Sequence, residues 1–184
     1  MKHTRLCIGD IAVALELALH PEAHLKYLAD RTRRSLGEIH NAEKRLRAAR
    51  LLRPGGRAVE RGALLQFIRW GVTYAFPATT GAVTRGVATA QLTSAPQAVP
   101  EELATLATLA TPKEPAESEF VWPFAEGVTR GQAFVPPYPK APALAVSNPG
   151  LRALLNLLDL VRVGGAREQA AAVDEIEYRI SEGN

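Results

Sequence analysis

The sequence predicts a mainly α-helical protein with one small β-hairpin in its N-terminal half and an αα-hairpin at its C-terminus. Three observations carry the prediction. Apolar residues recur at helical spacing from Asp10 to Ala49, two glycines (Gly55 and Gly56) interrupt that pattern in a short basic stretch, and a second apolar periodicity starts at Asn148-Pro149 and breaks at Gly164-Gly165.

The first helix runs over Asp10 to His20, with Ile11, Leu15 and Leu19 on one face, and Pro21 ends it. A second, about Glu22 to Thr32, turns Leu25, Leu28 and Ala29 inward. Ser35 and Glu38 form a capping box, each side chain satisfying an orphan amide, which fixes the start of a third helix. In that helix Leu36, Ile39, Ala42, Leu46 and Ala49 make the apolar stripe. Leu51 and Leu52 lead into Arg53-Pro54-Gly55-Gly56-Arg57, whose glycines suit a tight hairpin. Helical spacing returns from Arg61 to Phe76, with a kink or early end at Gly71 and a stop at Pro77.

Beyond this point the composition shifts to Ala, Thr, Pro and Glu. We read residues 81–120 as a linker with room for one short helix near Pro100 to Ala110. The division expected is 1–80, a DNA-binding domain; 81–120, the linker; and 121–184, a helical region for dimerisation or partner binding. In the last, Leu151, Leu154, Leu155 and Leu158 face Val173 and Ile176 of the following helix, about Ala166 to Ile180. This αα-hairpin has more apolar surface than two helices can hide, so it packs on another part of the chain or on a second copy.

The net charge of +3 conceals an asymmetry. Met1 to Trp70 holds fourteen Lys/Arg against seven Asp/Glu, whereas Gly71 to Asn184 holds eight against twelve, giving +7 and −4. A basic block of this kind suits a polyanion, and the acidic remainder suits a different task, such as holding a protein partner. Cys7 is the only cysteine, which excludes an intramolecular disulfide and a thiolate zinc cluster. No metal site, cofactor or catalytic constellation is expected: there is no phosphate loop, no Gly-x-Ser-x-Gly and no carboxylate pair in a suggestive context. No apolar run suggests a secretory signal or a membrane span, so the expected location is the cytoplasm.

The order helix, turn, capped helix, basic hairpin over His24 to Arg57 describes a winged helix-turn-helix, which can enter the DNA major groove. The spacing of Ile39, Leu46, Ala49, Leu51 and Leu52 resembles the recognition helix and following strand of bacterial winged-helix regulators of the MarR and ArsR type, over about Asp10 to Glu60. Two positions depart from that pattern: Glu43 stands where a leucine is usual, and Arg50 where a glycine is usual. The resemblance implies that Gly37, Glu38, His40, Asn41 and Lys44 face the groove. Asn41 can pair with adenine, Lys44 with guanine, and His40 with a base or phosphate. Arg31, Arg33, Arg34 and Ser35 at the turn, with Arg47, Arg53 and Arg57, are placed for phosphates. Five or six such cations imply a slope of roughly −5 for log K against log salt. The resemblance implies a dimeric transcriptional repressor of duplex DNA. The alternative is an antitoxin-like or adaptor protein, whose acidic C-terminal half holds a partner.

Val83-Thr84-Arg85-Gly86 recurs as Val128-Thr129-Arg130-Gly131. The two copies are read as similar turns. Either they aim Arg85 and Arg130 at an anion or an acidic partner, or each arginine pairs with a nearby acidic residue.

Overall fold

The structure, a computed structural model, describes residues 5–90 and 117–182. Helix α1 (Ile8–Leu19) runs through the middle of it: every residue from Gly9 to Ala18 is buried. Apart from Asp10 and Glu16, the sequence of α1 is apolar all round, as suits a helix with neighbours on every side. Helices α2 (Leu25–Thr32) and α3 (Leu36–Ala48) pack on one side, and the C-terminal helices on another.

The turn between α2 and α3 is three residues long. Arg33 closes α2 in the left-handed region (φ 53°), and Ser35 opens α3. The capping box forms as expected: the Ser35 amide donates to Glu38 Oε2 at 2.8 Å, and the Glu38 amide donates to Ser35 Oγ at 3.2 Å. Ile39, Ala42 and Leu46 are buried under α3, whereas Leu36, expected in the same stripe, is 54% exposed in the first turn. After α3 the chain makes a single antiparallel bridge between Leu52 and Val59, closed by Arg53 N to Ala58 O at 2.8 Å, with Gly55 at φ 77° at the tip. The expected hairpin is therefore present but reduced to one ladder pair. Helix α4 (Arg61–Trp70) breaks at Gly71, as its weak helix propensity predicts, and a short α5 (Val72–Ala75) follows.

The middle of the chain departs from the expected linker. Residues 81–89 and 117–120, expected in the linker, belong to strands β1 (Thr80–Thr89) and β2 (Glu117–Pro123), which join β3 (Thr129–Phe134). Strand β1 pairs antiparallel with both others, and β2 lies parallel to β3, closing a three-stranded sheet on itself. The chain is thus mixed α/β, with its main β element in the centre. The short helix anticipated near Pro100 to Ala110 lies outside the described residues.

A 3-10 turn (Ala141–Ala143) and helix α6 (Leu144–Ser147) lead to α7 (Pro149–Val163) and α8 (Ala166–Glu182), the expected αα-hairpin. It packs on α1 and α4, and one apolar core runs from Ile11 through Leu64 and Trp122 to Ile180. Leu151, Leu154, Leu155, Leu158, Val173 and Ile176, which could have met a second copy, are all buried in this core. They are not an exposed dimer face.

Burying α1 and α7 also buries their charges, and each is answered by a partner. Asp10 accepts two hydrogen bonds of 2.7 Å from Arg45. Glu16 accepts one from Arg31 at 2.8 Å and one from Asn148 at 3.1 Å. Asn148 also caps α7 by accepting from the Leu151 amide, so a single buried network ties α1, α2 and α7 together. On α7, Asp159 accepts from Arg162 (2.7 Å), Trp122 Nε1 (2.6 Å) and Thr89 (2.9 Å), which anchors the sheet to the helices.

Candidate nucleic-acid interface

The outer face of α3 is built by exclusion. Ile39, Ala42 and Leu46 hold the helix against the core, which turns Gly37, Glu38, His40, Asn41 and Lys44 to solvent. All five of the residues expected to face a groove are exposed. Among the described residues, the side chains of His40, Asn41 and Lys44 make no hydrogen bond or ion pair, so their polar groups are open to an outside partner. Glu38 differs from them. Its carboxylate is held by the Ser35 amide and hydroxyl, which keep it below the usual carboxylate range with smaller help from Arg34 and Lys140. Glu38 is therefore the cap of α3 rather than a free reader, and Ser35 has its hydroxyl in the same cap.

The arginines expected on phosphates are mostly engaged inside the protein. Arg31 bonds Glu16 and Asn148. Arg34, with a side chain only 9% exposed, donates to the Gly9 carbonyl at 2.7 Å and lies over the Tyr138 ring. Arg53 pairs with Glu60 at 2.8 Å while staying exposed. Arg47 and Arg57 both reach Glu43, at 3.3 and 2.9 Å. These contacts tie Arg31 and Arg34 to the body of the protein and restrain Arg47 and Arg57. Arg33 is exposed at the turn, with one hydrogen bond of 3.3 Å to the Ala143 carbonyl.

Glu43 explains its own departure from the helix pattern. It is 2% exposed, on the inner side of α3, where it meets two guanidinium groups. Arg47 also donates to the Gly56 carbonyl and Arg57 to the Ala23 carbonyl, so these two arginines, gathered by Glu43, fasten the hairpin to α3 and to the α1–α2 connection. A leucine would give apolar packing there, whereas the glutamate gives a countercharge to Arg57 of the hairpin and to Arg47.

Two contributors escaped sequence reasoning. Lys140, far away in sequence, is exposed and close enough to Glu38 to act on its charge, so the connection after β3 adds a cation beside the first turn of α3. Leu36 adds an exposed apolar side chain in the same turn. Neither could be found by local periodicity, since Lys140 depends on a tertiary contact and Leu36 sits on the boundary of the stripe. Arg50, at φ 59° just after α3, is exposed and opens onto a shallow groove shared with Arg47, Leu52, Pro54 and Glu60.

Arg85 and Arg130 are also exposed, but on the sheet, where the first copy of the tetrapeptide lies within β1 and the second, from Thr129 on, within β3 rather than in turns. No described helix is long and apolar enough to cross a membrane. Comparison with protein-family models, with curated proteins and with solved structures finds no match to this chain.

Proposed function

We propose that this chain binds duplex DNA in a sequence-dependent way through α3, as a transcriptional regulator with a winged helix-turn-helix reading head. The observation that carries the reading is the contrast on α3. Nearly every charged group around it has an internal partner, while Asn41, Lys44 and His40 stand exposed and unengaged on one arc. The element order α1, α2, three-residue turn, α3, bridge and α4 supports it, as does the MarR- and ArsR-like spacing of Ile39, Leu46 and Leu52. In this reading Asn41 offers a bidentate partner to adenine, Lys44 reaches guanine O6 and N7, and Leu36 meets a thymine methyl group. Two half-sites read by two copies would raise affinity, and such pairing needs a surface other than the buried faces of α7 and α8.

The cations left for phosphates are Arg33, Arg50 and Lys140. Binding to duplex DNA is therefore expected to weaken with a slope of roughly −3 in log K against log salt, shallower than the full arginine set implies. Titration of the full chain with a duplex across salt concentrations measures this, and no binding at low salt would reject the reading. Glu43→Gln is expected to steepen the slope by about 1 to 2, because it releases Arg47 and Arg57 toward the backbone. An unchanged slope would mean that those arginines have no access to DNA.

A further inference from the structure

The recurrence of Val-Thr-Arg-Gly becomes a geometrical fact in the sheet. The antiparallel register places Thr84 opposite Gly131, Arg85 opposite Arg130, and Gly86 opposite Thr129, so the copies are related by a local two-fold axis between the two arginines. Residues directly opposite on an antiparallel pair share a face, and Arg85 and Arg130 are both exposed there. The glycines, one position on, point to the other face, where β2 crosses. A methyl group on Gly86 would collide with the Trp122 carbonyl, and one on Gly131 with the Ser118 carbonyl. Close approach of β2 thus accounts for the repeated glycine, but nothing in the packing accounts for the repeated arginine.

Like charges directly opposite each other destabilise a strand pair. Neither arginine is relieved by an ion pair among the described residues. Glu117 stands in register with Arg130 across the parallel pairing but forms no ion pair with it. Val83 and Val128, 65% and 67% exposed, and Gln132, also exposed, surround the pair.

We propose that Arg85 and Arg130 form a binding site for a phosphate group. A carboxylate has two oxygens and one charge, which a single guanidinium fork already fills. A phosphate has more acceptor oxygens and up to two charges, and it can take both forks at once. The phosphate can be that of a small ester or that of a nucleic-acid backbone. The chemistry at the arginines is the same, and the proposal does not depend on DNA reading by α3.

The test uses the full chain and the Arg85→Gln/Arg130→Gln double variant, whose changes lie on an exposed face and remove the repulsion. Pyrophosphate, against chloride at matched ionic strength, should raise the unfolding midpoint of the wild type in a saturable way, with apparent affinity at least tenfold weaker in the double variant. Should that variant not fold, Arg85→Lys serves, since it keeps the charge without the fork and should also lose most of the response. A duplex DNA titration separates the sources. A salt slope shallower by about 2 in the double variant assigns the site to backbone phosphate, and an unchanged slope with a lost pyrophosphate response assigns it to a small phosphate ester. Equal behaviour of wild type and variant toward both probes would overturn the proposal.

Discussion

Replacing Asp159 with alanine is expected to lower the stability of the protein by about 3–5 kcal/mol, the range typical of removing one partner from a buried ion pair. The side chain is fully buried and accepts from Arg162, Trp122 and Thr89, so its loss leaves three donors unanswered. Arg162 would be the worst placed. It lies over the Phe134 ring and donates to the Phe76 carbonyl at 2.9 Å, but it would have no countercharge in the core. Denaturant unfolding of wild type and Asp159→Ala measures the difference, and a loss below about 1 kcal/mol would contradict this account of how the sheet is held.

The same residue makes that difference depend on pH. Burial pushes the Asp159 carboxyl up from its ordinary 3.8 to about 6, against the pull of Arg162, Trp122 and Thr89. A carboxyl with a raised folded-state pKa contributes most stability below its unfolded value and loses that contribution as pH rises through about 6. The gap between wild type and Asp159→Ala should therefore widen as pH falls from 7 to 4. A gap that narrows toward pH 4 would show that the ionised form is the one the fold favours.

The second large effect is expected at Leu154, which is fully buried between α7 and its neighbours. Leu154→Ala should cost about 2–5 kcal/mol through lost burial and the cavity left behind. Because the residue belongs to the core of a single chain, the loss should be the same at all protein concentrations. Destabilisation that grows on dilution would instead place Leu154 at a contact between copies.

The helices were legible because their signals are local. The capping box at Ser35 and Glu38, the break at Gly71, and Asn148-Pro149 before α7 each act within a few residues, and each appears as read. The sheet was not legible. Its strands contain Gly81, Gly86 and Gly131, ordinarily a sign of turns, and their use depends on β2 passing close by, which only non-local pairing determines. The candidate site divides in the same way. Periodicity and the resemblance found its exposed arc, Gly37 to Lys44, since the buried face of a helix fixes the other one. Sequence does not show which arginine meets which acid. Arg31 is engaged by Asn148 from more than a hundred positions away, and Arg47 and Arg57 by Glu43, the residue that breaks the apolar pattern.

We propose that the outer arc of α3 reads bases, and selection from a random duplex library, repeated with Asn41→Ala and Lys44→Ala, decides it. An enriched sequence is expected, with each variant losing about 1–3 kcal/mol at one particular base position and little elsewhere. No enrichment, or a uniform loss at every position, would contradict it.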